Sequence, residues 1–235
     1  TGGFGRGIQF FAGSLTMDGG SISNNPNQGL RPEGGAGGFV INLDGVDIIG
    51  NSEVNVALYA QGSYTFQNCT ISQAVSLDAG NSERGGAGIA RQHWGLASPT
   101  TLVVDNCTIE DNDGEGIWII DQMVDLTLTD TEFLGNSDGR DSQLRITDTQ
   151  AVTATIDRCL FDWNNSAVNL VLVATGIDVT MTNSILRGGG ASFIGQVLAE
   201  NGTFDFRNCT FTGASGVPIA GLFSGGGQDS TFYVR

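Results

Sequence analysis

The chain has no lysine. Ten arginines stand against 25 carboxylates, so the formal net charge is −15. A phosphate backbone is held by a basic face, and this composition excludes nucleic acid as an expected partner. Histidine occurs once and proline four times. No apolar run approaches the ~18 residues of a membrane-crossing helix, so no membrane span is expected in this segment. No secretory leader opens the sequence either. The four cysteines form no C-x-x-C pair and there is no histidine cluster, which removes the usual zinc frame. Charged residues make up only 15% against 40% hydrophobic, so the composition is not that of a disordered chain. The abundant residue is glycine, at 36, which suits short strands and tight corners.

The cysteines reveal a repeat. They sit in "FQNCTI" (Cys69), "VDNCTI" (Cys107), "IDRCLF" (Cys159) and "FRNCTF" (Cys209), and the same frame recurs around Gly20, Val46, Thr131 and Ser184. These eight anchors lie 26, 23, 38, 24, 28, 25 and 25 residues apart. Two residues after the anchor stand Ile22, Ile48, Ile71, Ile109, Phe133, Phe161, Leu186 and Phe211. The positions three and five before it are apolar or aromatic in every copy. Period-2 alternation inside a ~25-residue period predicts strands that bury their apolar face only when coils stack at ~4.8 Å. The expected fold is all-β, a right-handed parallel β-helix of about eight coils. The expectation for domains is one β-helix over 1–235, with an inserted loop at 73–100. Because "DSTFYVR" reads as a fresh strand placing Phe232 and Val234 in the inward columns, the solenoid is expected to continue into further domains.

Five residues past the anchor, Asn25, Asn51, Asn112, Asn136 and Asn164 recur. Asparagine tolerates left-handed backbone and can bond its neighbour in a stack, so a structural ladder at a corner is expected. Coils ending "ISNN", "IIGN", "IEDN", "FLGN" and "FDWN", alternating with "GGAG" at 34–37 and 85–88 and "GGGA" at 188–191, resemble chlamydial-type polymorphic outer-membrane protein repeats. More broadly the chain resembles the pectate-lyase-like β-helix superfamily. The resemblance implies a secreted or cell-surface, passenger-domain-like protein. It also brings in two enzyme patterns, a calcium-binding carboxylate cluster with an arginine or lysine base, and a set of aspartates with Gly-His-Gly and Arg-Ile-Lys. Neither pattern is present here as a motif.

Individual residues carry the remaining expectations. Cys69, Cys107, Cys159 and Cys209 replace small inward residues, so they read as buried free thiols acting as small hydrophobes. Arg84, Arg91 and His93 lie in the insertion and are weak candidates for catalysis, since long loops on a rigid scaffold collect function. Asp111, Asp113, Glu115, Asp138 and Asp141 would line one acidic corner, either as a calcium site or as a solvated rim. Trp94, Trp118 and Trp163 are candidates for stacking on sugars, with Trp118 expected to point outward. The function expected from these features is a non-catalytic adhesive or ligand-binding surface domain, its partner a carbohydrate or host-surface ligand. The alternatives are a polysaccharide lyase or glycoside hydrolase on acidic glycans, and a structural spacer or filament component.

Overall fold

The computed structural model describes residues 5–34, 38–76, 85–92, 100–120, 124–136, 142–163, 168–188, 195–200, 202–213, 219–221 and 231–234. Each coil lays down three strands. The first two coils supply β1 (Ile8–Phe10), β2 (Ser14–Asp18) and β3 (Ser21–Ser23), then β4 (Leu30–Pro32), β5 (Phe39–Asp44) and β6 (Asp47–Ile49). Next come β7 (Val54–Leu58), β8 (Gly62–Gln67) and β9 (Thr70–Ser72), and β10 (Ala87–Gln92), β11 (Thr100–Asp105) and β12 (Thr108–Glu110). The fifth coil is β13 (Ile117–Ile120), β14 (Val124–Thr129) and β15 (Glu132–Leu134). In the following two coils the first two strands run together: β16 (Ser142–Asp157) precedes β17 (Leu160–Trp163), and β18 (Val168–Thr182) precedes β19 (Ile185–Gly188). The chain ends through β20 (Gly195–Glu200), β21 (Thr203–Arg207), β22 (Thr210–Thr212), β23 (Ile219–Gly221) and β24 (Thr231–Val234).

The strands stack into three parallel faces. Strands β3, β6, β9, β12, β15, β17, β19 and β22 form an eight-stranded sheet, one strand following each anchor. The other sixteen form a second sheet with two arms, joined where β16 and β18 cross the bend between them. The register of β16 on β18 shifts between Thr147 and Thr149, which marks that bend. Strand β24 pairs parallel to β21, Phe204 opposite Phe232.

The apolar columns form the interior because alternation puts every second side chain inside. Strand β5 alternates buried and exposed along its whole length. Ile48, Ile71, Ile109, Phe133, Phe161 and Leu186 stack with no exposed surface. Phe133 and Phe161 stack face to face with centroids 4.7 Å apart. Each such side chain contributes roughly 1.5–3 kcal/mol by burial.

The corners are made by left-handed residues. Gly19, Gly45, Asn68, Asn106, Asp130, Arg158, Asn183 and Asn208, each just before an anchor, all have positive φ. So do Asn24, Gly50, Gln73, Asp111 and Gly135, at the next corner. Glycine, asparagine and aspartate bear that conformation at least cost, which explains most of both columns.

Residues 73–100 are not a loop throughout. Within them β10 is a full solenoid strand, pairing with β7 on one side and β13 on the other. The extra length of this coil therefore falls on either side of β10.

Candidate functional site

Two hydrogen-bonded ladders run inside the solenoid. In the first, Asn25 Nδ2 donates to Asn51 Oδ1 (2.7 Å), Asn51 Nδ2 to Asn55 Oδ1 (2.8 Å), and Asn55 Nδ2 to Asn112 Oδ1 (3.0 Å). Asn112 Nδ2 then donates to Asn136 Oδ1 (2.7 Å), and Asn136 Nδ2 to Gln143 Oε1 (2.5 Å). Asn51, Asn112 and Asn136 also donate to the carbonyls of Ile22, Ile71 and Ile109, so these buried amides are well satisfied. Asn55 and Gln143 do not belong to the repeat of asparagines. In the Cys69 coil the ladder position is Ala74, and Asn55 reaches across from β7 to fill the gap. The position equivalent to Asn55 is glycine at Gly7, Gly29, Gly88 and Gly116, whereas in β16 it is Gln143. At Gly29 an added Cβ would lie 2.6 Å from Asn51 Nδ2.

The second ladder is the anchor column. The Cys69 N–H donates to Cys107 Sγ (3.4 Å), the Cys107 N–H to Thr131 Oγ1 (3.4 Å), and the Cys159 N–H to Ser184 Oγ (3.1 Å). The Val46, Thr131 and Ser184 amides bond in the same way to Cys69, Cys159 and Cys209. Each thiol or hydroxyl in turn donates to the carbonyl two residues before it: Cys107 to Asp105, Thr131 to Thr129, Ser184 to Thr182. The four cysteines are free thiols, three of them buried. They are not simple small hydrophobes; they bridge a backbone donor of one coil to a carbonyl of their own. Burial pushes the Cys159 thiol up to about 12. The neighbouring Cys69 and burial raise the Cys107 thiol as well, while the neighbouring Cys107 lowers Cys69.

Outside, the left-handed corner carries a polar ladder. Asn106 Nδ2 donates to Asn68 Oδ1 (2.6 Å), and Asn68 Nδ2 to Asp44 Oδ1 (2.6 Å). Further along, Arg158 grips Asp130 with two bonds of 2.7 Å and also meets Asp157. Asp157 accepts from Asn183 (2.9 Å), and Asn208 donates to Asn183 (3.4 Å). The Arg158 guanidinium holds the Asp130 carboxyl below its usual range. A groove of about 390 Å³ beside this run is lined by Asp130, Glu132, Arg158, Cys159, Leu160, Asn183 and Ile185.

A family model described as the right handed beta helix region matches residues 3–133 and 96–233. The chain belongs to the right-handed β-helix family. No curated protein and no solved structure matches it.

The β-helix redistributes the residues expected to act. Arg91 is not in a loop. It lies in β10, in register with Leu58 and Ile119, and is fully buried. Its Nη1 donates to the Leu58 carbonyl (2.7 Å) and its Nη2 to Thr100 Oγ1 (3.1 Å), and burial lowers its pKa to about 10. A guanidinium enclosed there cannot act as a surface base. Trp118 alternates with Ile117 and Ile119 as expected, but it is 4% exposed, with Ala90 and Arg145 as its in-register neighbours. Its buried Nε1–H meets no acceptor among the described residues, and the ring is covered rather than offered to a sugar.

Of the acidic corner, Asp111 and Asp113 are exposed, and Asp113 accepts from the Ser76 amide. Glu115 is buried and pairs with Arg145 (3.3 Å). Among the described residues no three acidic, cysteine or histidine side chains gather as a metal site would need. Trp163 ends β17 opposite Gly188. Arg84, His93, Trp94, Asp138, Asp141 and Asn164 lie outside the described residues. What sequence reasoning missed is the corner ladder. Its signal was present in the Asn, Asp or Gly that precedes seven of the eight anchors.

Proposed function

We propose that this β-helix is a non-catalytic ligand-binding domain of a secreted or cell-surface protein, presenting its polar corner to a carbohydrate or other hydroxyl-rich surface. The carrying observation is the run of exposed Asp130, Arg158 and Asn183, joined through half-buried Asp157, beside the groove. Side chains held by one another at one-coil spacing are preorganised, so little ordering entropy is lost on binding an extended polymer. Carboxylate, guanidinium and amide groups match the donors and acceptors of sugar hydroxyls. The finer resemblance to polymorphic outer-membrane protein repeats supports an adhesin-like, passenger-domain role. A glycan array with the wild-type chain and Arg158→Ala and Asn183→Ala variants tests the reading. Binding that falls in both variants, without cleavage of the bound glycan, is the expected result. Cleavage of acidic glycans would replace it with the lyase or hydrolase reading, and absence of any binding with the spacer reading.

A further inference from the structure

We propose that Cys69 and Cys107 form a reversible redox lock, closing to a disulfide between two adjacent coils when the chain meets a peroxide. They are successive members of the anchor column: Thr70 pairs with Thr108, and the Thr108 N–H donates to the Cys69 carbonyl at 3.0 Å. The Cys107 sulfur already lies 3.4 Å from the Cys69 amide, so the two thiols occupy adjacent rungs of one column. No other pair of cysteines stands this way. Thr131 separates Cys107 from Cys159, and Ser184 separates Cys159 from Cys209.

Neighbouring strands hold their side chains ~4.8 Å apart, and disulfides prefer Cβ atoms at ~3.8 Å, so the bridge draws the corner together and carries strain. Strained disulfides are the reducible ones, which makes this a lock rather than a permanent staple. The pair is 2% exposed, so a small oxidant suits it. Cys69, the thiol whose proton leaves first, attacks one peroxide oxygen. The O–O bond breaks, hydroxide leaves, and Cys69 becomes a sulfenic acid. The Cys107 sulfur then attacks the Cys69 sulfur. The S–S bond forms, the S–O bond breaks, and water leaves with the Cys107 proton. In balance, two thiols and one hydrogen peroxide give one disulfide and two waters. The closed ring contains all of the enlarged coil, including β10.

The test is oxidation of the folded chain with hydrogen peroxide, then denaturation, alkylation and cleavage at arginine. Each cysteine falls on its own peptide, since Arg84 and Arg91 lie between Cys69 and Cys107, Arg140 and Arg158 between Cys107 and Cys159, and Arg187 and Arg207 between Cys159 and Cys209. A linked Cys69–Cys107 pair, reversed by dithiothreitol and raising the thermal midpoint by roughly 5–10 °C while closed, is the expected result. A Cys159→Ser, Cys209→Ser double variant should behave identically, and Cys107→Ser should form no link. Cys69 and Cys107 alkylated separately after a dose that oxidises the thiols of the denatured chain would overturn the proposal. A link involving Cys159 or Cys209 in the folded chain would overturn it equally.

Discussion

A single column of side chains shows how much a small group can do when its place is repeated. Cysteine, threonine and serine share one ability at the anchor: each accepts from an amide one coil back and donates to a carbonyl of its own strand. Shape alone would allow valine there, as at Val46, but valine offers nothing to an amide. Cys107→Val should therefore cost about 1–3 kcal/mol, because the Cys69 N–H loses its acceptor, whereas Cys107→Ser should stay within about 1 kcal/mol of wild type. Urea unfolding of the two variants decides this, and equal losses would show that the bridge contributes nothing. Titration gives a second check. The folded Cys159 thiol is raised to about 12 from an ordinary 9, so the folded state binds more protons above pH 9. Stability from this thiol is complete below pH 9 and is lost as pH rises toward 12, with a slope of up to ~1.4 kcal/mol per pH unit. Comparing Cys159→Ser with wild type from pH 8 to 11 should show a shallower decline in the variant. Parallel curves would mean that burial does not perturb this thiol.

At the scale of strands and corners, the amide ladder explains why one coil breaks the asparagine rule without breaking the stack. Ala74 leaves a gap and Asn55 fills it from the neighbouring strand, donating to the Ser72 carbonyl (2.8 Å) as well as to Asn112. Asn55→Gly alone should destabilise the chain by about 1–3 kcal/mol. Ala74→Asn alone should also destabilise, by crowding Asn55. Together they recreate the arrangement in which Gly29 faces Asn51 and Gly116 faces Asn136, and should recover most of the loss, a non-additivity read directly from a double-mutant cycle. Additive losses would mean that the two positions do not share one slot. The same coil shows what the sequence made legible. Coil length, strand period and the three apolar columns could all be read, because stacking forces each column to repeat. Asn55 could not, because it serves the ladder from a different strand, where offsets counted from an anchor do not look. Strand β10 was hidden because Arg91 occupies an inward place and breaks the apolar alternation. The alternation did assign Trp118 its face, but no periodicity records what covers a side chain from outside.

Across the whole molecule, strand pairing, core columns and most ladder bonds among the described residues connect a coil to the next one, and the ladders are chains of such steps. The core, the amides and the anchors all propagate along one axis, and strand pairing among the described residues is wholly parallel between successive coils. Stability in such an array is a sum of coil terms and neighbour terms, so damage should stay local. Phe133 is the place to test this, since it stacks on Phe161 near the middle and is fully buried. Phe133→Ala should cost about 3–5 kcal/mol through lost burial and the cavity left behind. Hydrogen exchange followed by mass spectrometry should then show protection lost first in β12, β15 and β17. The loss should fade toward β6 on one side and β22 on the other, because those strands keep all their own neighbours. A uniform fall in protection from β3 to β22 would contradict this. It would mean that the two internal ladders bind the eight coils into one cooperative unit, with amide-to-amide and thiol-to-amide bonds carrying strain much farther than apolar stacking does.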